Sequence, residues 1–294
     1  MRISVIIPAL NAEKELPGLL KALSEQTLQA DEILVTDSES EDRTRQIAEE
    51  AGARVIPIRR KDFDHGGTRD MAFRVSTGDI VVFMTQDAVP ADEHMLENLI
   101  RPLSEEGVAV VCGRQLPKEN ATRVERLVRT FNYPAESRIR SEADVETMGI
   151  KAFFCSDVCA AYNREIWLEL GGFEHPLKTN EDMFFAAKAI RNGYRIAYSA
   201  DAQIFHSHNF TMKQQYRRNW NQGYEIERHR SLLGEVSQVP EGWKLVRFMS
   251  ARLLKQGRIL SFAHFGLDCC ARLFGSRAGR KAFLRENKDQ GDNA

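Results

Sequence analysis

Residues 79–88 read DIVVFMTQDA, an almost continuous apolar run that follows Gly78 and ends in the carboxylate of Asp87. Such a run, without alternation, marks a strand buried on both faces, as in a parallel sheet. Upstream, ISVII at 3–7 and EILVTD at 32–37 repeat the pattern, and ARVIPI at 53–58 adds a third strand. Helical periodicity fills the intervals. Asn11 precedes Leu16, Leu19, Leu20 and Leu23 on one helical face, and the polar loop SESEDRT at 38–44 leads to Ile47, Ala48 and Ala51 before Gly52. Thr68 to Val75 form a further helix. Strands alternating with helices predict an α/β fold with a doubly wound, mostly parallel sheet flanked by helices. In such sheets ligands bind at the carboxyl ends of the strands. Pro8, Ala9 and Asn11, Asp37 to Ser40, and Thr85 to Asp87 are therefore expected to line one crevice.

Farther along, VAVVCGRQ at 108–115 reads as a strand, and residues 121–140 as helix followed by irregular chain. REIWLELGGF at 164–173 and EDMFFAAKAIRNGY at 181–194 are two helices closing at glycine, and RIAYS at 195–199 is a strand leading to FHSHNF. The closing KDQGDNA is expected to fray.

With 294 residues, 28% of them charged and 43% apolar, and a net charge of -1, the chain has the make-up of a soluble globular protein and no global basic excess for nucleic acid. Its five cysteines, Cys112, Cys155, Cys159, Cys269 and Cys270, lack the paired spacing of a structural zinc site and suit a reduced, cytoplasmic compartment. The short apolar run before Pro8 is neither signal peptide nor membrane span. The protein is expected to sit on a membrane surface at most, on the inner face of the cell membrane.

Taken in order, SVIIPALN at 4–11, VTDSESEDRT at 35–44, MTQDA at 84–88, GGF at 171–173 and NEDMFFAAK at 180–188 resemble the family-2 glycosyltransferases of GT-A fold. The resemblance covers roughly residues 1–230. FDHGGTRD at 63–70 and TQDA at 85–88 are similar to the bacterial rhamnosyltransferase branch. The resemblance implies transfer of a sugar, L-rhamnose from dTDP-rhamnose, to a hydroxyl of a glycan or lipid-linked acceptor, with inversion. Such chemistry needs a divalent cation on the diphosphate and a base for the acceptor proton.

Asp37, with Ser38 beside it, is implied to read the donor base; the alternative is a loop or capping carboxylate. Thr85, Gln86 and Asp87 stand where the family has Asp-x-Asp, so Asp87 alone is left for the metal and Thr85 for a ribose hydroxyl. His206 and His208, two apart on an extended segment, point the same way, and one can complete the metal site; the resemblance favours His206, with His208 near the phosphates or acceptor, and two imidazoles with a carboxylate would suit Mn²⁺ better than Mg²⁺. Glu181 and Asp182 open a helix, whose dipole favours ionised carboxylates. The resemblance implies Asp182 as base, with Glu181 orienting the acceptor or the base. Arg69, following two glycines that let backbone approach a ligand, is expected to meet the diphosphate. Asp157 faces acceptor or sugar by resemblance, or is a buried polar residue satisfied by backbone.

Between Trp243 and Arg285 the charged residues are basic except Asp268, with apolar side chains interspersed. Residues 231–294 are accordingly expected to form basic amphipathic helices, on an anionic membrane surface or packed on the catalytic part. Two rivals come from other classes. A sugar nucleotidyltransferase calls for a glycine-rich phosphate loop where this chain has IPALNAEKE. A non-catalytic nucleotide-binding membrane scaffold leaves Asp87, Asp182 and the histidines idle, and a UDP-hexose donor is the alternative within the transferase reading.

Overall fold

The computed structural model describes residues 1–236 and 239–291. Four parallel strands open the chain: β1 (Ile3–Ala9), β2 (Glu32–Asp37), β3 (Arg54–Pro57) and β4 (Ile80–Met84). Between them run α1 (Leu16–Ser24), α2 (Thr44–Glu50) and α3 (His65–Val75). α3 starts three residues before the expected Thr68, because the Asp64 carboxylate caps it by accepting from Gly67 N at 2.6 Å. There follow β5 (Val89–Pro90), α4 (Met95–Ile100), β6 (Val108–Leu116), α5 (Arg123–Asn132), β7 (Arg138–Arg140), α6 (Val145–Met148), β8 (Cys159–Asn163), α7 (Arg164–Glu169), α8 (Glu181–Arg191) and β9 (Arg195–Phe205). β9 continues well past the RIAYS expected from sequence. The chain closes with α9 (Met212–Arg228), α10 (Arg230–Leu233), α11 (Val239–Lys255) and α12 (Ile259–Gly291). The tail expected to fray is therefore helical to Gly291, and residues 292–294 lie outside those described.

Among the described residues one sheet holds the strands in the order β3-β2-β1-β4-β8-β6-β9-β5, with β7 on β9. β8 runs antiparallel between β4 and β6, β6 and β9 are parallel, and β5 and β7 run antiparallel to β9, so the sheet is mixed, with β1 to β4, β6 and β9 sharing one direction. β1 leads outward to β2 and β3, and β4 returns to its other side, which places the topological switch between β1 and β4.

Side chains of β4 alternate between two cores. Val81 and Phe83 join Tyr162, Trp167, Phe173, Phe184 and Phe185 on one face, while Ile80, Val82 and Met84 join Leu16, Leu19, Leu96 and Leu99 on the other. This double burial is why the strand reads as continuously apolar, and each large side chain so buried contributes about 1.5–3 kcal/mol. A smaller core of Val124, Val128, Met249, Leu253 and Phe265 fastens α11 and α12 to α5.

Of the C-terminal helices, α11 is amphipathic, turning Leu245, Met249 and Leu253 inward, whereas α12 departs from that expectation. α12 buries Phe265, Gly275 and Gly279 but exposes Leu260, Leu267, Leu273 and Phe274, so its apolar residues form no single stripe. It lies along α9, and a Cβ on Gly275 or Gly279 would overlap the carbonyls of Tyr216 or Trp220. Position 230, where the sequence suggested a change of segment, falls at the start of α10.

Candidate active site and metal centre

The expected strand ends converge. Ser38 N donates to the Ala9 carbonyl at 3.0 Å, and Asn11, with a φ of 50°, accepts through Oδ1 from Glu41 N at 2.9 Å. Gln86 latches β4 to β1, its Oε1 accepting from Leu10 N at 2.9 Å and its Nε2 donating to the Leu10 carbonyl at 3.3 Å. Asn11 and Gln86, expected to touch the sugar donor, thus have their side chains engaged in shaping the crevice. The Thr85 hydroxyl is turned inward, buried and without a hydrogen-bond partner among the described residues, so it is not presented to a ribose. Asp37, 1% exposed, accepts from Ser40 N at 3.3 Å and pairs with Arg45 at 3.4 Å.

Beyond β4 and β9, Asp87, His206 and His208 offer ligand atoms that lie within 4.8 Å of one another. His206 Nε2 is 3.4 Å from Asp87 Oδ1, and His208 Nε2 is 3.6 Å from Oδ2. Gln115 Oε1, which also accepts from Arg129, stands 2.9 Å from His206 Nδ1. An amide oxygen is an acceptor only, so Nδ1 carries the proton and Nε2 of the neutral ring turns a lone pair toward a carboxylate. Two facing acceptors at that distance suit a cation between them, and the second hydrogen bond is the usual means of orienting a metal-binding histidine. The donor set therefore fits a divalent metal. Burial pushes His206 down in pKa and takes His208 to about 4, so both rings are neutral at pH 7, the form that a metal ion requires of them. Burial opposes ionisation of Asp87, but the Lys118 ammonium, whose Nζ is 2.9 Å away, favours the carboxylate and holds its pKa below the usual range.

A second cluster forms where α3, α8 and the segment before β8 meet. Arg69, 5% exposed, stands 3.3 Å from Asp157 Oδ2 and 3.1 Å from Glu181 Oε1. Expected on a diphosphate, it is instead occupied by two buried carboxylates, with the Phe83 ring beneath it at 6.0 Å. The glycines before it also serve packing. A Cβ on Gly66 would overlap the Glu174 carbonyl oxygen, so α3 presses on the loop that leads to Glu181. Asp64 Oδ2 accepts from Leu177 N at 2.6 Å and Asp70 Oδ1 from Phe173 N at 3.2 Å, joining FDHGGTRD to GGF.

Asp182 accepts from Asp157 N through Oδ2 at 3.0 Å and from Met183 N through Oδ1 at 2.7 Å. Each oxygen keeps a free lone pair. Burial, then the Glu181 charge, raise its pKa to about 7, contrary to the expectation that the helix dipole keeps it low. Asp157 is pushed well above the carboxylate range by burial and the Asp182 charge, and Tyr162 OH donates to it at 2.5 Å. One arginine among three carboxylates leaves the group short of positive charge, which favours the protonated forms of Asp157 and Asp182.

The dipeptide Ser156–Asp157 joins the clusters: Ser156 Oγ accepts from Gln115 Nε2 at 3.0 Å, and Asp157 N donates to Asp182. Lys118, Gln115 and Tyr162 escape a reading by motif. Gln115, a buried amide near the end of a strand that begins with the apolar run VAVVC, was the visible signal.

Family and relatives agree with this architecture. A model described as glycosyl transferase family 2 matches residues 4–171. O-antigen chain rhamnosyltransferase RfbN of Salmonella typhimurium is 41% identical over 225 residues, covering 76% of this chain and 72% of that protein. O-antigen chain rhamnosyltransferase WbaN of Salmonella anatum is 40% identical over 222 residues, 75% and 70% of the two chains. The mannosyltransferase PcManGT from Pyrobaculum calidifontis, in complex with GDP-Man and Mn²⁺, shares the fold with a TM-score of 0.66 at 18% identity, covering 95% of this chain and 86% of that one. The family match runs from the switch-point strands through the Asp157 segment to Gly171, so the chain belongs to glycosyl transferase family 2 and is a glycosyltransferase of GT-A fold.

Proposed function

We propose that the enzyme transfers L-rhamnose, with inversion, from dTDP-rhamnose to a hydroxyl of a growing cell-surface polysaccharide or its lipid-linked precursor. The named function of the two Salmonella relatives supports the sugar and the acceptor class. The observation that supports the mechanism is the hydrogen-bonded path through Gln115 and Ser156–Asp157, which links the Asp87, His206 and His208 cluster to the Asp182 carboxyl of raised pKa.

Asp37 and Ser38, with Pro8 and Ala9 behind them, receive the nucleotide base. Asp87, His206 and His208 would hold Mn²⁺ or Mg²⁺, which supplies positive charge against the diphosphate leaving group. Asp182 takes the proton of the acceptor hydroxyl as that oxygen bonds to the anomeric carbon from the face opposite the breaking C–O bond; the nucleoside diphosphate leaves with the bonding pair. A base whose pKa lies near 7 balances availability against driving force at neutral pH. Glu181, through Arg69, sets the position and charge around it.

Asp182→Asn is expected to lose transfer by about 10²–10⁴-fold while nucleotide binding stays near wild type. A donor panel followed by thermal shift with Mn²⁺ is expected to give dTDP-rhamnose the largest stabilisation. Near-normal turnover of the variant removes Asp182 as base, and a preference for UDP-glucose removes the rhamnosyl reading.

An anionic membrane surface is the proposed resting place. No helix among the described residues is long and apolar enough to cross a membrane. The turn from α11 to α12 exposes Leu254, Ile259 and Leu260 beside Lys255 and Arg258, and Trp243 is 66% exposed. Hydrophobic side chains with basic neighbours suit interfacial binding. Sedimentation with phosphatidylglycerol vesicles is expected, weakening for Leu260→Asp and in high salt; equal pelleting with neutral vesicles would contradict it.

A further inference from the structure

The loop that leaves β6 is zipped to the histidine loop. His206 N donates to the Leu116 carbonyl at 2.9 Å, Lys118 N to Ser207 Oγ at 3.0 Å, Thr122 N to Asn209 Oδ1 at 2.9 Å, and Asn209 Nδ2 to the Asn120 carbonyl at 2.9 Å. The root of Lys118 is therefore fixed relative to His206 and His208. Its head has more freedom: a four-carbon stem carries an ammonium to 2.9 Å from Asp87 Oδ2, and the side chain is 29% exposed.

His208 Nε2 addresses the same carboxylate oxygen at 3.6 Å. The ammonium thus stands beside the position that a cation held by Asp87 and His208 would take. Two cations on one oxygen repel strongly in a partly desolvated site. Meanwhile a departing nucleoside diphosphate carries more negative charge than one divalent ion neutralises. Arg69, the cation expected from sequence to meet that charge, is held by Asp157 and Glu181.

We infer that Lys118 is a displaceable counter-ion: it neutralises Asp87 before metal binds, then swings to the diphosphate as a phosphate-binding group. The inference rests on the reading of Asp87, His206 and His208 as the metal site. No bond is made or broken by Lys118; it exchanges one anionic partner for another.

Binding measurements separate this from a fixed structural ion pair. Mn²⁺ affinity is measured without nucleotide, by the loss of the free-ion electron paramagnetic resonance signal, for wild type, Lys118→Met and Lys118→Arg. The affinity of dTDP or UDP, whichever wild type binds more tightly, is then measured at saturating Mn²⁺. Lys118→Met is expected to bind Mn²⁺ about threefold to tenfold more tightly and the nucleotide about tenfold more weakly. Lys118→Arg, which keeps the charge, is expected to stay near wild type on both. Unchanged Mn²⁺ affinity, or unchanged nucleotide affinity, in Lys118→Met overturns the inference alone. Absence of Mn²⁺ binding in wild type and variants overturns the metal reading and this one with it.

Discussion

Around Arg69 a single guanidinium serves Asp157 and Glu181, and the carboxyl it serves least directly, that of Asp182, is raised to about 7. Glu181 is the second cause of that rise after burial, so its charge should be readable in the pH profile. Removing a neighbouring negative charge favours the ionised form of Asp182, which lowers its pKa. Glu181→Gln is therefore expected to move the acidic limb of kcat/KM down from about pH 7 by roughly half to one unit. A limb that stays in place would assign it to another group. The types and order of these residues were legible in the sequence: strand ends and spacing drew attention to Asp87 and the two histidines, and the family resemblance, through NEDMFFAAK and the Asp-x-Asp position, implied their roles. What sequence could not give was partnership. Arg69 looked like a free cation after flexible glycines, because nothing local in HGGTRD shows that Asp157, 88 positions onward, closes on it.

At the scale of elements, FDHGGTRD acts as a clasp. Its first turn butts against the Glu174 carbonyl, its Asp64 and Asp70 hold the backbone of Leu177 and Phe173, and the loop so held delivers Glu181 and Asp182. Gly66→Ala would press a methyl group into that carbonyl and force the loop away, at about 1–3 kcal/mol. A lowered melting temperature is expected, with a fall in kcat as Arg69 and Glu181 separate. Gly18→Ala is the matched control, since a Cβ there meets nothing within 4 Å and alanine favours α1 by about 0.5–1 kcal/mol. Equal effects would deny the clasp. The strands and helices that carry it were readable because apolar runs and 3.6-residue periods are local signals. β5 and β7 were not assigned, since they are two and three residues long and owe their existence to the strand beside them, and β8 was missed because its CAAYN carries two alanines and no β-branched residue.

For the whole molecule, α9 is the joint between site and C-terminus. Its first turn follows the His206–Phe210 loop, and its buried Glu225 accepts from Lys178 N at 3.0 Å, just before Glu181. Both clusters thus lean on α9, and α12 leans on α9 through Gly275 and Gly279. The basic, apolar composition of residues 231–294 was plain in sequence, but such composition cannot tell a surface helix from a buttress. The small residues of the seam decide it: they matter only because the facing backbone comes so close. If α12 is a buttress, Gly279→Ala, whose Cβ would overlap the Trp220 carbonyl, should cost about 1–3 kcal/mol, lower the melting point in one cooperative transition, and reduce kcat. Gly266→Ala, on the same helix with nothing within 4 Å of its Cβ, should be neutral or stabilising. Were the C-terminal helices an appendage, Gly279→Ala would instead split the melt into two steps and leave kcat intact, since the sheet, the triad and Asp182 would not sense the loss of α12.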